Sequence, residues 1–199
     1  MRSPRRLVPD FIFDQYRMGE TRGFFQGAAM FVDLSGFSTM TDELSQHGSH
    51  GAEVLAEMMR VVFEPLVNAV YAQGGFVIGY AGDAFNAVFP AGQDGGQAAK
   101  RCLASAVAMQ AHAKSRPQVS TPYGAFTIHI KVGIGFGETK WQIFKSVDGA
   151  HATYWFRGES LRGAVEGESC ARPGDIALSE PMRSMLMDDA ACMQIGDCY

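Results

Sequence analysis

Apolar and polar residues follow two different periods along this chain, and the two periods divide it into strands and helices. Residues 27–34, GAAMFVDL, are a short apolar run closed by Ser35-Gly36. A run that short, with glycine at its end, predicts a buried strand. Thr39, with Asp42 and Glu43 in the next turn, marks a helix start. Gln46-His47-Gly48-Ser49-His50-Gly51 should break that helix. Over 52–72, Val54, Met58, Val61, Leu66 and Val70 recur near helical spacing, with Pro65 set to kink the helix and Gln73-Gly74-Gly75 to end it. The stretch 76–90 holds two β-prone runs around Ala81-Gly82-Asp83, the pattern of a hairpin with a Gly-Asp turn.

Further along, 97–114 reads as a helix with Cys102, Ala106, Met109 and Ala113 on one face. Phe126, Ile128, Ile130, Val132 and Ile134 alternate, which predicts a strand over 126–136 with His129 on the solvent side. A turn at 135–140 should lead to a partner strand at 141–147, then a short strand at 153–156, a helix at 160–166 and a last strand at 175–178. Residues 1–26 show no strong period and are taken as an N-terminal lead-in, with one domain over 27–199. Strands joined by hairpins, with helices between the groups, indicate an α+β fold: a mostly antiparallel sheet covered by helices on one face.

Composition narrows the function classes. The chain has 199 residues, 47% of them hydrophobic, enough for one full core. Its net charge of -4 gives no reason to expect a nucleic-acid or membrane-surface partner. Arg2, Arg5 and Arg6 are followed by no signal-peptide apolar run, and there is no apolar stretch of about 18 residues to span a bilayer. The expected compartment is the cytoplasm. Cys102, Cys170, Cys192 and Cys198 lack zinc-ligand spacing and are expected to be reduced thiols. His47 and His50 flank glycines in what should be a solvated loop. Gly133-x-Gly135-x-Gly137 follows a strand but opens no helix, so it is rejected as a dinucleotide loop.

Two aspartates carry the candidate chemistry. Asp33 ends an apolar strand and Asp83 sits in the hairpin turn. If those strands are neighbours, both carboxylates reach one edge of the sheet, where a pair of divalent ions for phosphoryl chemistry could sit. The segment Ser35, Gly36, Phe37, Ser38 and Thr39, running to Thr41, ends at a helix N-terminus whose backbone N–H groups suit a triphosphate. Each piece has an ordinary structural reading as well: helix entry for Asp33, a common hairpin turn for Asp83.

The motifs Phe31-Val32-Asp33-Leu34-Ser35-Gly36-Phe37-Ser38-Thr39-Met40-Thr41 and Gly74-Gly75-Phe76-Val77-Ile78-Gly79-Tyr80-Ala81-Gly82-Asp83-Ala84, at their spacing, resemble the two metal motifs of class III adenylyl and guanylyl cyclases. The version is most similar to the first cyclase domain of soluble, bicarbonate-responsive-type adenylyl cyclases and their bacterial relatives. The resemblance covers about 27–180 and implies a ferredoxin-like core. It implies that Asp33, Asp83 and the Leu34 carbonyl bind two Mg²⁺ or Mn²⁺ ions, with Gly82 in the nucleotide site. ATP or GTP would be the substrate, cyclic nucleotide and pyrophosphate the products, and a second cyclase domain would complete the site.

The departures from the family pattern are informative. Gly79 stands where the family often has a lysine, and Trp155 where it has a base-selecting residue. Arg162 and Glu166 fall where the family has an asparagine and an arginine, and no Asn-x-x-x-Arg occurs between Tyr154 and Ala171. A homodimer, possible in isolation, would therefore hold metal ligands at both sites and that arginine at neither. The expectation is the metal-binding half of a cyclase, with little activity alone. The alternative is a degenerate regulatory nucleotide-binding or dimerisation module. The base-reading residues would come from elsewhere, so the sequence leaves ATP against GTP open.

Overall fold

The computed structural model describes residues 8–186 and 199. Its element order is α1 (Asp10–Arg17), β1 (Arg22–Ser35), α2 (Phe37–Ser45), α3 (Gly48–Ala72), β2 (Phe76–Ala81), β3 (Ala84–Pro90), α4 (Gly95–Ser115), β4 (Gln118–Thr121), β5 (Gly124–Thr127), β6 (His129–Lys145), β7 (Ala152–Gly158), α5 (Glu159–Cys170), β8 (Ile176–Leu178) and α6 (Glu180–Met185). The main sheet runs β2-β3-β1-β6-β7, antiparallel throughout, with β8 parallel to β6. β1, β3 and β6 form its centre, and two of its crossings are filled by helices, which is the ferredoxin-like order.

β1 is apolar on both sides because both sides are covered. Ala28, Met30, Val32 and Leu34 face a core built with Phe37, Met40 and Leu44 of α2, Phe63, Leu66 and Val70 of α3, and Cys102, Ala106 and Met109 of α4. Ala29 and Phe31 face the other way, with Val88 and with Ala164 of α5. Strand side chains alternate, so Asp33 shares the face of Ala29 and Phe31. The expectation of helices on one face is thus corrected: α1 and α5 cover the second face. The segment read as a lead-in contains α1 and the first residues of β1. Phe11 of α1 stacks on Phe76 with centroids 5.3 Å apart and meets Trp141 edge-on at 5.5 Å. Ile12, Trp141 and Ile143 are buried there.

The larger correction concerns β6. It is one strand of 17 residues, with no turn at 135–140. Gly133 and Gly135 do not bend the chain. They let α5 approach: a Cβ on Gly133 would overlap the Ala164 carbonyl oxygen and the Glu168 nitrogen, and one on Gly135 would overlap the Ser160 carbonyl oxygen. Glycine here is a contact surface for a helix backbone. Thr139 and Ser160 exchange a buried hydroxyl hydrogen bond of 2.5 Å along the same seam.

Smaller differences follow from local packing. α2 begins at Phe37, ahead of the Thr39 signal, because Gly36 takes a left-handed φ of 94° as its N-cap. α3 runs through Pro65. The β4–β5 hairpin had no clear sequence pattern, and its Tyr123 stacks on the His47 ring at 3.7 Å and bonds the His50 ring. Those histidines are exposed yet packed on a partner. His129 is exposed, as its place in the alternation requires. Cys102 is a buried thiol, whose pKa burial pushes well up. Cys170 is disulfide-bonded rather than reduced.

Candidate functional site

Register brings the two aspartates to one end of the sheet. Asp33 on β1 pairs with Ala84, the first residue of β3, so Asp83 in the preceding turn stands beside it. Asp33 and Asp83 are both half-buried. Leu34 points its side chain into the core, at 2% exposure, which leaves its backbone as its contribution to this edge. Ser35 ends β1, and Gly36 turns the chain directly into α2. Phe37 is buried as an anchor for the first turn, while Ser38 and Thr39 are exposed. No side chain caps α2, so its first N–H groups lack a side-chain partner beside Asp33. Gly82 is exposed in the turn with Asp83. Thus the first motif, the helix start and the hairpin turn share one edge.

One residue of this site escaped the sequence reading. Lys131 on β6 lies opposite Asp33 in register, and its Nζ is 3.3 Å from Asp33 Oδ2. The same ammonium donates a hydrogen bond to Glu168 Oε1 of α5. Lys131 and Glu168 are largely covered, at 22% and 10% side-chain exposure. Glu168 and, behind it, Asp33 hold the Lys131 pKa above its ordinary value. The sequence carried no such signal, since Lys131 falls in the outward phase with His129, where a lysine normally reaches solvent. Finding its partner required the β1–β6 register.

The departing positions lie elsewhere. A Cβ at Gly79 would meet open space, so sterics do not demand glycine there. Trp155 on β7 lies under the Arg157 guanidinium, 4.4 Å from the ring centre. Arg162 and Glu166 form an exposed pair 3.9 Å apart on α5. None of these four joins the aspartate edge through a described contact.

The donor set can be tested against a divalent ion. Mg²⁺ and Mn²⁺ favour oxygen ligands, usually one or two carboxylates with substrate phosphates and water. Asp33, Asp83 and the Leu34 carbonyl are such donors. No cluster of three or more acidic, histidine or cysteine side chains able to hold a metal exists among the described residues. The set therefore fits an ion shared with phosphate oxygens, and it does not form a closed structural site.

The match to the adenylate and guanylate cyclase catalytic domain covers residues 24–198. The chain belongs to that family, the class III cyclases. Human adenylate cyclase type 10 is 25% identical to this cyclase domain over 158 residues, and the rabbit protein is 26% identical over 160. Each match covers 78% of the chain but 10% of the relative's length, so the chain spans about a tenth of these proteins. Among solved structures, the adenylyl cyclase CyaB of P. aeruginosa superposes with a TM-score of 0.69 at 19% identity, covering 87% of this chain and 89% of that one. The guanylate cyclase domain of RhGC from Catenaria anguillulae, solved with GTP, gives 0.67 at 17% identity, with 83% and 85% covered. These likenesses establish the cyclase fold. No helix among the described residues is long and apolar enough to cross a membrane.

Proposed function

We propose that this cyclase domain is the metal-binding half of a nucleotidyl cyclase that converts ATP, with GTP the second candidate, to 3′,5′-cyclic nucleotide and pyrophosphate. A second cyclase domain, in the same or another chain, would supply the rest of the site. The observation that carries the reading is the Asp33–Ala84 register, which sets Asp83 beside Asp33 at the mouth of an uncapped helix. The two carboxylates and the Leu34 carbonyl would hold two Mg²⁺ or Mn²⁺ ions. Bound there, the ions would supply charge neutralisation at the phosphates and acidify the ribose 3′-hydroxyl.

The chain's own residues have simpler tasks. The N–H groups from Phe37 to Thr39 at the start of α2 would bind phosphate oxygens, aided by the helix dipole. Ser35, Gly36 and Gly82 would leave room for the phosphates to approach the backbone. Asp33 and Asp83 would hold the ions at the edge where the ribose hydroxyl meets the α-phosphorus. Nothing in this half would read the base or neutralise charge opposite the metals, since Gly79, Trp155, Arg162 and Glu166 stand where those residues belong in the family.

Calorimetric titration with a non-cyclisable ATP analogue, with and without Mn²⁺, tests the reading. The expected result is Mn²⁺-dependent binding that is lost in Asp33→Asn and in Asp83→Asn. Metal-independent binding, or none by a folded domain, would favour the second reading: a degenerate regulatory nucleotide-binding or dimerisation module. That reading draws on one specific observation, the ammonium already seated on Asp33.

A further inference from the structure

Lys131 lies between two carboxylates with different prospects. Glu168 comes from α5, is nearly buried, and is in the tighter contact. Asp33 comes from β1, is more open, and is the looser partner at 3.3 Å. Glu168 is held there by backbone packing, because Gly133 lets the α5 main chain reach β6 at Ala164 and Glu168. An ammonium and a divalent ion cannot both sit on Asp33 Oδ2 without strong repulsion across a partly desolvated gap. Asp33 must give up its ammonium if both of its oxygens are to serve ions. Glu168 is already within reach to keep it.

We infer that Lys131 is the resident counter-ion of Asp33 in the metal-free domain, and that Glu168 is the seat to which the ammonium withdraws when a divalent ion binds. Lys131 is then a positioning residue that sets metal affinity, and Glu168 acts only through it. The exchange ties metal occupancy to α5, whose outer face carries Arg162 and Glu166. The inference rests on the proposed metal role of Asp33 and deepens it.

The test is a double-mutant cycle read by Mn²⁺ alone, through calorimetry or the electron-spin signal of free Mn²⁺, on wild type, Lys131→Gln, Glu168→Gln and the double variant. Lys131→Gln is expected to bind Mn²⁺ about tenfold more tightly, and Glu168→Gln more weakly by a similar factor. In the Lys131→Gln background, Glu168→Gln should change nothing. Lys131→Arg, which keeps the charge, should stay near wild type. Additive effects of the two substitutions, or no tightening in Lys131→Gln, would overturn the inference. Asp33→Asn separates the two failures: if wild type and Asp33→Asn bind Mn²⁺ equally or not at all, the metal role of Asp33 itself is wrong.

Discussion

Asp33 and Asp83 stand side by side but in unlike surroundings. Asp33 lies within a strand and shares an ammonium with Glu168. Asp83 lies in a two-residue turn and makes no ion pair among the described residues. The two asparagine variants should therefore part company in stability. Asp83→Asn is expected to melt like wild type in the absence of metal. Asp33→Asn should melt lower, by up to about 1 kcal/mol, because Lys131 keeps Glu168 as its closer partner. Added Mn²⁺ and nucleotide should raise the melting temperature of wild type alone, checked by thermal-shift titration. The aspartates were legible because each sits at the end of an apolar run with a glycine within three residues. Lys131 was not, since a lysine in an outward phase normally means solvent. Only long-range register shows that this one faces a carboxylate and lies beneath a helix.

Between β6 and α5 the fold depends on side chains that are missing. Gly133 and Gly135 in the strand meet Ala164 and the α5 backbone, and the sequence pattern resembled a turn for the same reason: glycine usually marks chain reversal. Periodicity located β1, α4 and the β2–β3 hairpin well, because their apolar residues report burial directly. It failed at β6, whose central contacts are made by backbone, and at α1, too short to show a period. Gly135→Ala should force α5 off the sheet and cost about 1–3 kcal/mol, with a drop of several degrees in melting temperature. Gly79→Ala serves as the control, since its Cβ would enter open space. Equal melting of the two variants would show that the seam tolerates separation.

Taken as one body, the domain on the proposed reading offers half of a two-sided site. The aspartate edge is assembled, while Arg157 is stacked on Trp155 and Arg162 is exposed beside Glu166. Loss of a transition-state charge contact typically costs about 3 kcal/mol, two to three decades in rate. The purified chain should thus make cyclic nucleotide at a barely detectable rate, and mixing with a cyclase domain that carries a lysine and an Asn-x-x-x-Arg helix should restore turnover. A high rate from the chain alone, abolished by Asp33→Asn, would refute the half-site reading. The fold class was legible from element order, whereas the covering of both sheet faces was not, because it depends on α1 and on the glycine seam.

The aromatic nest under α1 has an optical consequence. Trp141 is 5% exposed and sits edge-on to Phe11, whereas Trp155 lies under a guanidinium on β7. The chain has two tryptophans in all, so Trp155→Phe leaves Trp141 as the sole indole emitter. Its emission should be blue and poorly quenched by iodide while α1 is docked, and should shift red in Phe11→Ala, which loses about 2 kcal/mol of packing. The protein thereby carries its own fluorescent gauge of whether the N-terminal helix is seated on the sheet.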